Sequence, residues 1–171
     1  IATGNTNAFL SGGTNRAVIA GDATFQDLAI NSNGSYTIRF SYAGVPAVTS
    51  AAISVVVGPP ANLLVVTQPS AIVTSGVVFV RQPVVAIIDA GGNRVVTSGV
   101  PVYAEAVGPG SLHGNTNVAS INGLVHYTGL YLTNGGSYVL TFGDGNALVV
   151  ESDPVAIPAP PTVTTLPPEP V

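Results

Sequence analysis

The fold follows from one stretch of sequence, Phe79-Val-Arg-Gln-Pro-Val-Val-Ala-Ile-Ile-Asp-Ala-Gly-Gly-Asn-Arg-Val-Val-Thr-Ser-Gly-Val-Pro-Val-Tyr-Ala-Glu-Ala106. Two runs rich in β-branched residues flank a turn cluster, Asp89-Ala-Gly-Gly-Asn93. Glycine and Asn tolerate positive φ, and an Asp side chain can accept a hydrogen bond from the backbone two residues further on. After the turn, alternate residues from Val100 to Ala106 are apolar, and a period of two predicts a strand. The stretch therefore predicts paired strands against which further strands pack.

Composition narrows the class of protein. Hydrophobic residues make up 46% of the 171 residues and charged residues only 7%, which is the opposite of a disordered chain. The net charge of −4, with four Arg and no Lys, argues against nucleic acid as a partner, because phosphate binding needs clustered cations. No apolar run reaches the length of about 18 residues that predicts a membrane span. The chain has no Cys, which removes disulfides, Cys-based metal sites and thiol nucleophiles.

An internal repeat organises the chain. The segment from Phe25 to Phe40 matches the segment from Tyr127 to Phe142 without gaps, and Ser50 then falls on Ser152. Gly4-Asn5-Thr6-Asn7 also recurs as Gly114-Asn115-Thr116-Asn117. This second match implies that the first copy carries an insert, Phe9–Ala20, which is predicted to form an extended loop.

The repeat predicts four segments. Residues 1–57 correspond to the C-terminal half of a repeat, residues 58–60 form a proline linker, residues 61–157 form one complete repeat, and residues 158–171 form a Pro/Thr-rich linker or stalk. Gly58-Pro59-Pro60 is expected to be stiff and extended, because proline fixes φ and removes a backbone donor.

The complete repeat predicts about seven strands separated by glycine-rich turns, the spacing of an all-β sandwich. Tyr138, Leu140 and Phe142 should share the core face of one strand, with Thr141 on the other face. The predicted strands are Leu63–Thr67, Val77–Ile88 with a bend at Pro83, Arg94–Val96, Val100–Val107, Asn117–Ile121, Leu124–Leu132, and Ser137–Phe142 with a last strand at Ala147–Ile157.

These motifs resemble a known family. Gln82-Pro83-Val84, Asp89-Ala-Gly-Gly-Asn93, Gly108-Pro-Gly-Ser-Leu112 and Gly136-Ser-Tyr138 are similar to those of the tandem Ig-like repeats (bacterial-Ig-like type) of large extracellular surface or fibre proteins. The resemblance implies antiparallel Ig-like β-sandwich repeats, one complete and one partial. The Cys and Trp residues that mark antibody-type domains are absent, so antigen-type or receptor pairing is not implied.

Two kinds of glycosylation site are candidates. Asn33-Gly34-Ser35 is an Asn-x-Ser sequon, which reads alternatively as a plain Asn-Gly hairpin turn. In the tail, Thr162, Thr164 and Thr165 lie among prolines and are candidate O-glycosylation sites. The alternative for the tail is an unmodified polyproline spacer.

The sequence carries little sign of catalysis, and we predict that the chain is not an enzyme. His113 and His126 are the only histidines, no Gly-x-Ser-x-Gly occurs, and the carboxylates are mostly isolated. No cofactor is predicted. A calcium ion is the best metal candidate, with oxygens from Asp144, Asn146, Glu151 and Asp153, because such arrays sometimes stiffen their joints with this ion.

The expected function is a structural module of a long extracellular fibre, surface layer or cell-surface appendage, which acts as a spacer and assembly unit. Its expected partners are neighbouring repeats of the same chain and other subunits of the assembly, with no nucleic acid and no membrane span. The alternative is an adhesive binding module that recognises a glycan or protein through its loops, with the insert as its recognition element.

Overall fold

A computed structural model describes residues 8–159 of the chain. These residues form β-strands and contain no helix that is long and apolar enough to cross a membrane. The fold is all-β with several sheets, consistent with the predicted β-sandwich. The strands are β1 (Leu10–Ser11), β2 (Ala29–Ile30), β3 (Gly34–Tyr36), β4 (Arg39–Tyr42), β5 (Val45–Thr49), β6 (Ile53–Val55), β7 (Asn62–Thr67), β8 (Val84–Ile88), β9 (Pro101–Val107), β10 (Leu112–His113), β11 (Asn117–Ala119), β12 (Leu124–His126), β13 (Tyr131–Leu132), β14 (Gly136–Gly143), β15 (Val149–Glu151) and β16 (Val155–Ile157).

Contacts between Cα atoms divide the chain into two compact units, each assembled from separate segments. Unit 1 contains the described residues up to Leu64, together with Val85–Val100 and Ala119–Val125. Unit 2 contains Val65–Val84, Pro101–Val118 and the described residues from His126 onwards. The segment boundaries predicted from the repeat, 1–57, 58–60, 61–157 and 158–171, stay predictions.

Unit 2 is built around β14. One edge of β14 pairs antiparallel with β9, and the other edge pairs with β16 and then with β15. Tyr138, Leu140 and Phe142 are buried, whereas Val139 and Thr141 are only half-buried. The alternation along the predicted strand is therefore confirmed, as a pleated strand with one core face requires.

Unit 1 has its own buried residues. Tyr36 lies in β3, which pairs antiparallel with β6, and it is completely buried. In β8, Val85, Ala86 and Ile87 are all buried, so this strand has apolar residues facing both sides, as in the interior of a protein. The backbone N–H of Ile87 donates to the carbonyl of Gly123 at 2.9 Å.

The strand pairings confirm the internal repeat. Three antiparallel pairings in the first part of the chain recur in the same register 102 residues later: β1–β2 as β10–β13, β3–β6 as β14–β16, and the start of β4–β5 as β14–β15. A serine in each copy bonds in the same way, since the Ser50 hydroxyl accepts from the Ile38 N–H and the Ser152 hydroxyl accepts from the Leu140 N–H. We call residues 8–57 the first copy, and residues 110–159 together with the strand β9 that pairs with them the second copy.

The predicted insert at Phe9–Ala20 is wrong. Leu10 pairs with Ile30 as Leu112 pairs with Leu132, so the two copies align without a gap from Leu10 onwards. The true counterpart of Gly114 is Gly12, and both have a positive φ, 101° and 95°. A Cβ at either glycine would lie about 2 Å from a backbone carbonyl oxygen, that of Gly129 or that of Asp27. The short Gly4–Asn7 match suggested the insert. Residues 12–28 still connect β1 to β2, so the loop named by the adhesion hypothesis is present, but it is not longer than its counterpart in the second copy.

Several predicted strands are shorter than expected. Val77–Ile88 is a strand only from Val84, and Leu124–Leu132 is interrupted between His126 and Tyr131. Gly129 lies in this interruption with a φ of 69°, a left-handed conformation that breaks a ladder. Arg94–Val96 forms only an isolated bridge from Arg94 to Ile88, and Ala147–Ile157 is split into β15 and β16.

The first copy buries its apolar residues less well than the second copy. Ile53 is 36% exposed, whereas its counterpart Val155 is completely buried. Four further residues of the first copy are half-buried although their counterparts are buried: Phe25 and Tyr127, Leu28 and Leu130, Ile30 and Leu132, Phe40 and Phe142. This difference follows from the pairing, because β14 has β9 on one edge, and β4 pairs only with β5 among the described residues.

Candidate functional site

The turn cluster Asp89–Asn93 forms the most elaborate polar site among the described residues. Asp89 is buried, and its carboxylate accepts hydrogen bonds from several donors. Oδ1 accepts from the backbone N–H groups of Gly91 (2.9 Å) and Asn93 (2.8 Å). The predicted bond from Asp89 to the backbone two residues on is therefore present. Oδ2 accepts from the backbone N–H of Gly58, at 2.8 Å, so the turn holds the start of the proline linker.

Asn93 connects the same turn to the first copy. Its Nδ2 donates to the carbonyl of Asn31 at 2.9 Å and to both carboxylate oxygens of Asp89 at 3.0 Å. Its Oδ1 accepts from the backbone N–H of Asn33 at 3.1 Å. We call this group, Gly58, Asp89, Gly91 and Asn93 with the backbone of residues 31–33, the joint clasp.

The two glycines of the turn have separate roles in the joint clasp. Gly92 has a φ of 84°, which glycine adopts at little cost. Gly91 lies so close to the first copy that an added Cβ would be 2.2 Å from the carbonyl oxygen of Asn31. Any side chain at position 91 would therefore push the turn away from the first copy.

The joint clasp also fixes the ionisation of Asp89. The backbone N–H of Gly58, and next the side chain of Asn93, lower the pKa of Asp89 from 3.8 to about 2. Hydrogen bonds to the charged form favour that form. Asp89 is thus an anionic anchor with its acceptors already occupied, and it is not a candidate general acid or base.

We expect Asp89→Asn to weaken the fold and to change its dependence on pH. The folded pKa lies below the unfolded one, so the carboxylate stabilises the fold above pH 3.8, and this contribution is lost as the pH falls towards 2. The amide cannot accept on both atoms, so the variant should be less stable at pH 7 and lose less stability between pH 4 and 2. Chemical denaturation across this pH range measures both effects.

Asp153→Asn is the matched control for this experiment, because Asp153 is an exposed carboxylate. Asp27 and Asp144 also have lowered pKa values, through Arg16 and the Asn146 N–H respectively, so part of the pH dependence should remain in every variant. Identical pH profiles for the Asp89→Asn and Asp153→Asn proteins would contradict the role given to Asp89.

Of the predicted glycosylation sites, only Asn33 lies among the described residues. Asn33 is exposed, and its carbonyl accepts from the Tyr36 hydroxyl at 3.1 Å. The alternative Asn-Gly hairpin is not formed, since β2 pairs with β1 and β3 pairs with β6. Modification of Asn33 stays a prediction. Thr162, Thr164 and Thr165 lie outside the described residues.

The proposed calcium ligands and the histidines do not converge. Within residues 8–159, no three His, Asp or Glu side chains lie together in a way that could hold a metal ion. The Asp144 carboxylate instead accepts from the N–H groups of Asn146 (2.9 Å) and Leu148 (3.1 Å) in its own turn. The His113 ring stacks on Tyr131 with centroids 4.9 Å apart, and His126 is an exposed residue of β12.

Sequence reasoning missed a cleft in the first copy. The cleft has a volume of about 390 Å³ and lies between residues 14–18 and residues 39–48, with Phe25 and Phe40 in its lining. The two rings are 5.3 Å apart and tilted by 48°. Arg39 is exposed at its border. The repeat itself could have revealed the cleft, because among the described residues no counterpart of β9 pairs with the first copy.

The chain is therefore an all-β protein with several sheets, consistent with a β-sandwich, and the joint clasp is its most extensive polar site among the described residues. One solved structure agrees at the level of the fold alone. A glycosyl hydrolase family 2 member from Bacteroides cellulosilyticus matches with a TM-score of 0.50 and 11% identity, over 83% of this chain and 21% of that one. A beta-glycosidase from Bacteroides vulgatus matches with a TM-score of 0.47 and 17% identity, over 87% of this chain and 20% of that one.

The chain spans about a fifth of the length of these two structures. At such low identity the likeness concerns the fold alone, and function has to be argued from sites. No protein-family model matches the chain, and no curated protein matches it.

Proposed function

We propose that this chain is a structural module of a long extracellular fibre, surface layer or cell-surface appendage, in which Ig-like repeats act as spacers and assembly units. The observation that carries the proposal is the recurrence of the strand pairings at a spacing of 102 residues. A chain that repeats one β unit head to tail extends in one direction, and each unit contacts mainly its neighbours.

The joint clasp supports the spacer role. A flexible linker would let successive repeats fold back on each other, whereas Asp89 and Asn93 hold the start of the linker and the backbone of residues 31–33 to one turn. Pro59 and Pro60 restrict the backbone at the same place. All members of the joint clasp lie in unit 1, and a linker whose start is held in this way suits a spacer.

Composition supports an extracellular location. With 7% charged residues, solubility depends on Ser, Thr and Asn and on any attached sugar, at Asn33 or on the threonines of the tail. The absence of Cys removes the risk of mispaired disulfides in an oxidising compartment. The expected partners of the module are neighbouring repeats of the same chain and other subunits of the same assembly.

We expect small-angle scattering of a protein with two complete repeats, joined by Val57-Gly58-Pro59-Pro60, to show an elongated particle. Each repeat should add roughly 30 Å to the maximum dimension, because the 8 residues of β14 span about 26 Å at 3.3 Å each and turns lie at both ends of the strand. The matched control replaces Pro59 and Pro60 with glycine, which should give a broader and more compact distribution of distances. A compact, side-by-side arrangement of the native-linker protein would argue against the spacer role.

A further inference from the structure

The cleft of the first copy lies where the second copy has a strand. In the second copy, β9 lies between β11 and β14 in the sheet order. The counterparts of β11 and of the β9-pairing part of β14 are residues 15–17 and 37–41, and residues from both segments line the cleft. The cleft therefore corresponds in position to β9.

The backbone of the cleft is arranged to accept such a strand. In the second copy, Ala104 of β9 donates its N–H to the Thr116 carbonyl at 2.7 Å and lies opposite Phe142 of β14. The counterparts in the first copy are Thr14 and Phe40, which both line the cleft. Among residues 8–159, β4 pairs only with β5, so the edge that corresponds to the β9 side of β14 has no strand partner there. An exposed edge of this kind accepts an added strand through its main chain.

The aromatic side chains at the base of the cleft are arranged like the pair that lies beside β9 in the second copy. Phe25 and Phe40 are 5.3 Å apart and tilted by 48°, and their counterparts Tyr127 and Phe142 are 5.1 Å apart and tilted by 42°. In the second copy, the buried residues Val102 and Ala104 of β9 point to the core side. A strand with small apolar residues at alternate positions therefore fits between the two segments.

The positive charge of Arg39 favours a strand that carries an acidic residue at the position opposite it. In the second copy, Glu105 of β9 lies opposite Thr141. The counterpart of Thr141 is Arg39, which is exposed. A strand that enters the cleft in the register of β9 thus places its glutamate directly opposite Arg39, and an opposite-charge pair across two strands is favourable.

We propose that this cleft is an acceptor site for a β-strand with the sequence pattern of β9, supplied by the front half of another copy of the same repeat. The inference deepens the proposed assembly role, because it names the segment through which one copy completes another. The evidence for it is the edge of β4 that has no strand partner among residues 8–159, the aromatic base of the cleft, and Arg39.

The test uses the full chain and a fluorescent synthetic peptide with the sequence of residues 100–107, Val-Pro-Val-Tyr-Ala-Glu-Ala-Val. We expect saturable binding by fluorescence anisotropy, with slower amide hydrogen exchange at residues 37–41. A peptide that carries Ala104→Asp, which directs a carboxylate at the aromatic base, should not bind. A scrambled peptide of the same composition controls for nonspecific apolar association.

Charge reversal tests the register. A peptide with Glu105→Arg should bind the native chain at least about threefold more weakly, and the Arg39→Glu chain should restore its affinity. Arg39 is exposed, so the Arg39→Glu chain should keep the native circular dichroism spectrum.

The proposal is overturned if the folded chain does not bind the native peptide, or if protection from exchange appears away from residues 37–41. It is also overturned if the Glu105→Arg peptide binds the native chain and the Arg39→Glu chain with the same affinity as the native peptide binds the native chain. None of these results would affect the scattering of a two-repeat protein. A failure of the acceptor site and a failure of the spacer role are therefore distinguishable.

Discussion

Residues 1–57, produced alone, should show no cooperative thermal unfolding transition and little protection of their amides from exchange. Within this segment the described strands form only three two-stranded pairs, β1–β2, β3–β6 and β4–β5, and isolated two-stranded sheets are marginally stable at best. Even in the full chain, Phe40 and Phe25 are only half-buried and Val48 is exposed. The segment alone would also lose the turn Asp89–Asn93, which bonds to residues 31–33.

The matched control is the predicted complete repeat, residues 61–157, and we expect it to unfold cooperatively, because a repeat of this size can bury a core without disulfides. Differential scanning calorimetry and amide exchange of the two proteins at equal concentration make the comparison. A cooperative transition with protected amides in monomeric 1–57 would mean that this segment is a small domain and that the interpretation as half a repeat is wrong.

Phe142→Ala should lower the free energy of unfolding by about 3–5 kcal/mol, the range for a buried Phe. Phe142 is completely buried, and its ring contacts Tyr127, with centroids 5.1 Å apart. Tyr127 is itself held in place, because its hydroxyl donates to the Val102 carbonyl at 3.0 Å and burial raises its pKa. A cavity at Phe142 would therefore open between side chains that cannot easily collapse into it.

The chain offers two controls for this substitution. Thr141→Ala, on the opposite face of the same strand, should cost about 1 kcal/mol or less, because Thr141 is half-buried and Ala is the poorer strand former. Phe40→Ala is the same substitution at the counterpart position, and it should cost only about 1 kcal/mol because Phe40 is half-buried. Denaturant titrations of the three variants provide the values. Equal losses for Phe142→Ala and Thr141→Ala would show that the two faces of β14 have been assigned wrongly.

The sequence predicted the features that depend on local periodicity. Tyr138, Leu140 and Phe142 alternate with polar or smaller neighbours, and a strand has only two faces, so the buried set could be read directly. The turn Asp89–Asn93 was also predictable, because the Asp side chain satisfies backbone groups within its own turn.

The features that the sequence did not predict depend on contacts between distant residues. Asn93 reaches the backbone of Asn31, 62 residues earlier, and no local pattern encodes that distance. The alignment error arose because four residues, Gly4–Asn7, matched better than the true counterpart, Gly12–Asn15, in which Gly13 stands opposite Asn115. The spacing of 102 residues from Phe25 to Tyr127, extended backwards to Leu10, would have identified that counterpart.

In the joint clasp, the side chain of Asn93 reaches only main-chain atoms of the first copy, the carbonyl of residue 31 and the N–H of residue 33. Every amino acid offers that carbonyl, and every amino acid except proline offers that N–H. The joint clasp therefore depends on the backbone conformation of residues 31–33 and not on which side chains they carry. If the chain is the repeat module that we propose, repeats whose surface side chains differ could follow one another without loss of these bonds, provided that the following repeat keeps the Asp-x-Gly-Gly-Asn turn.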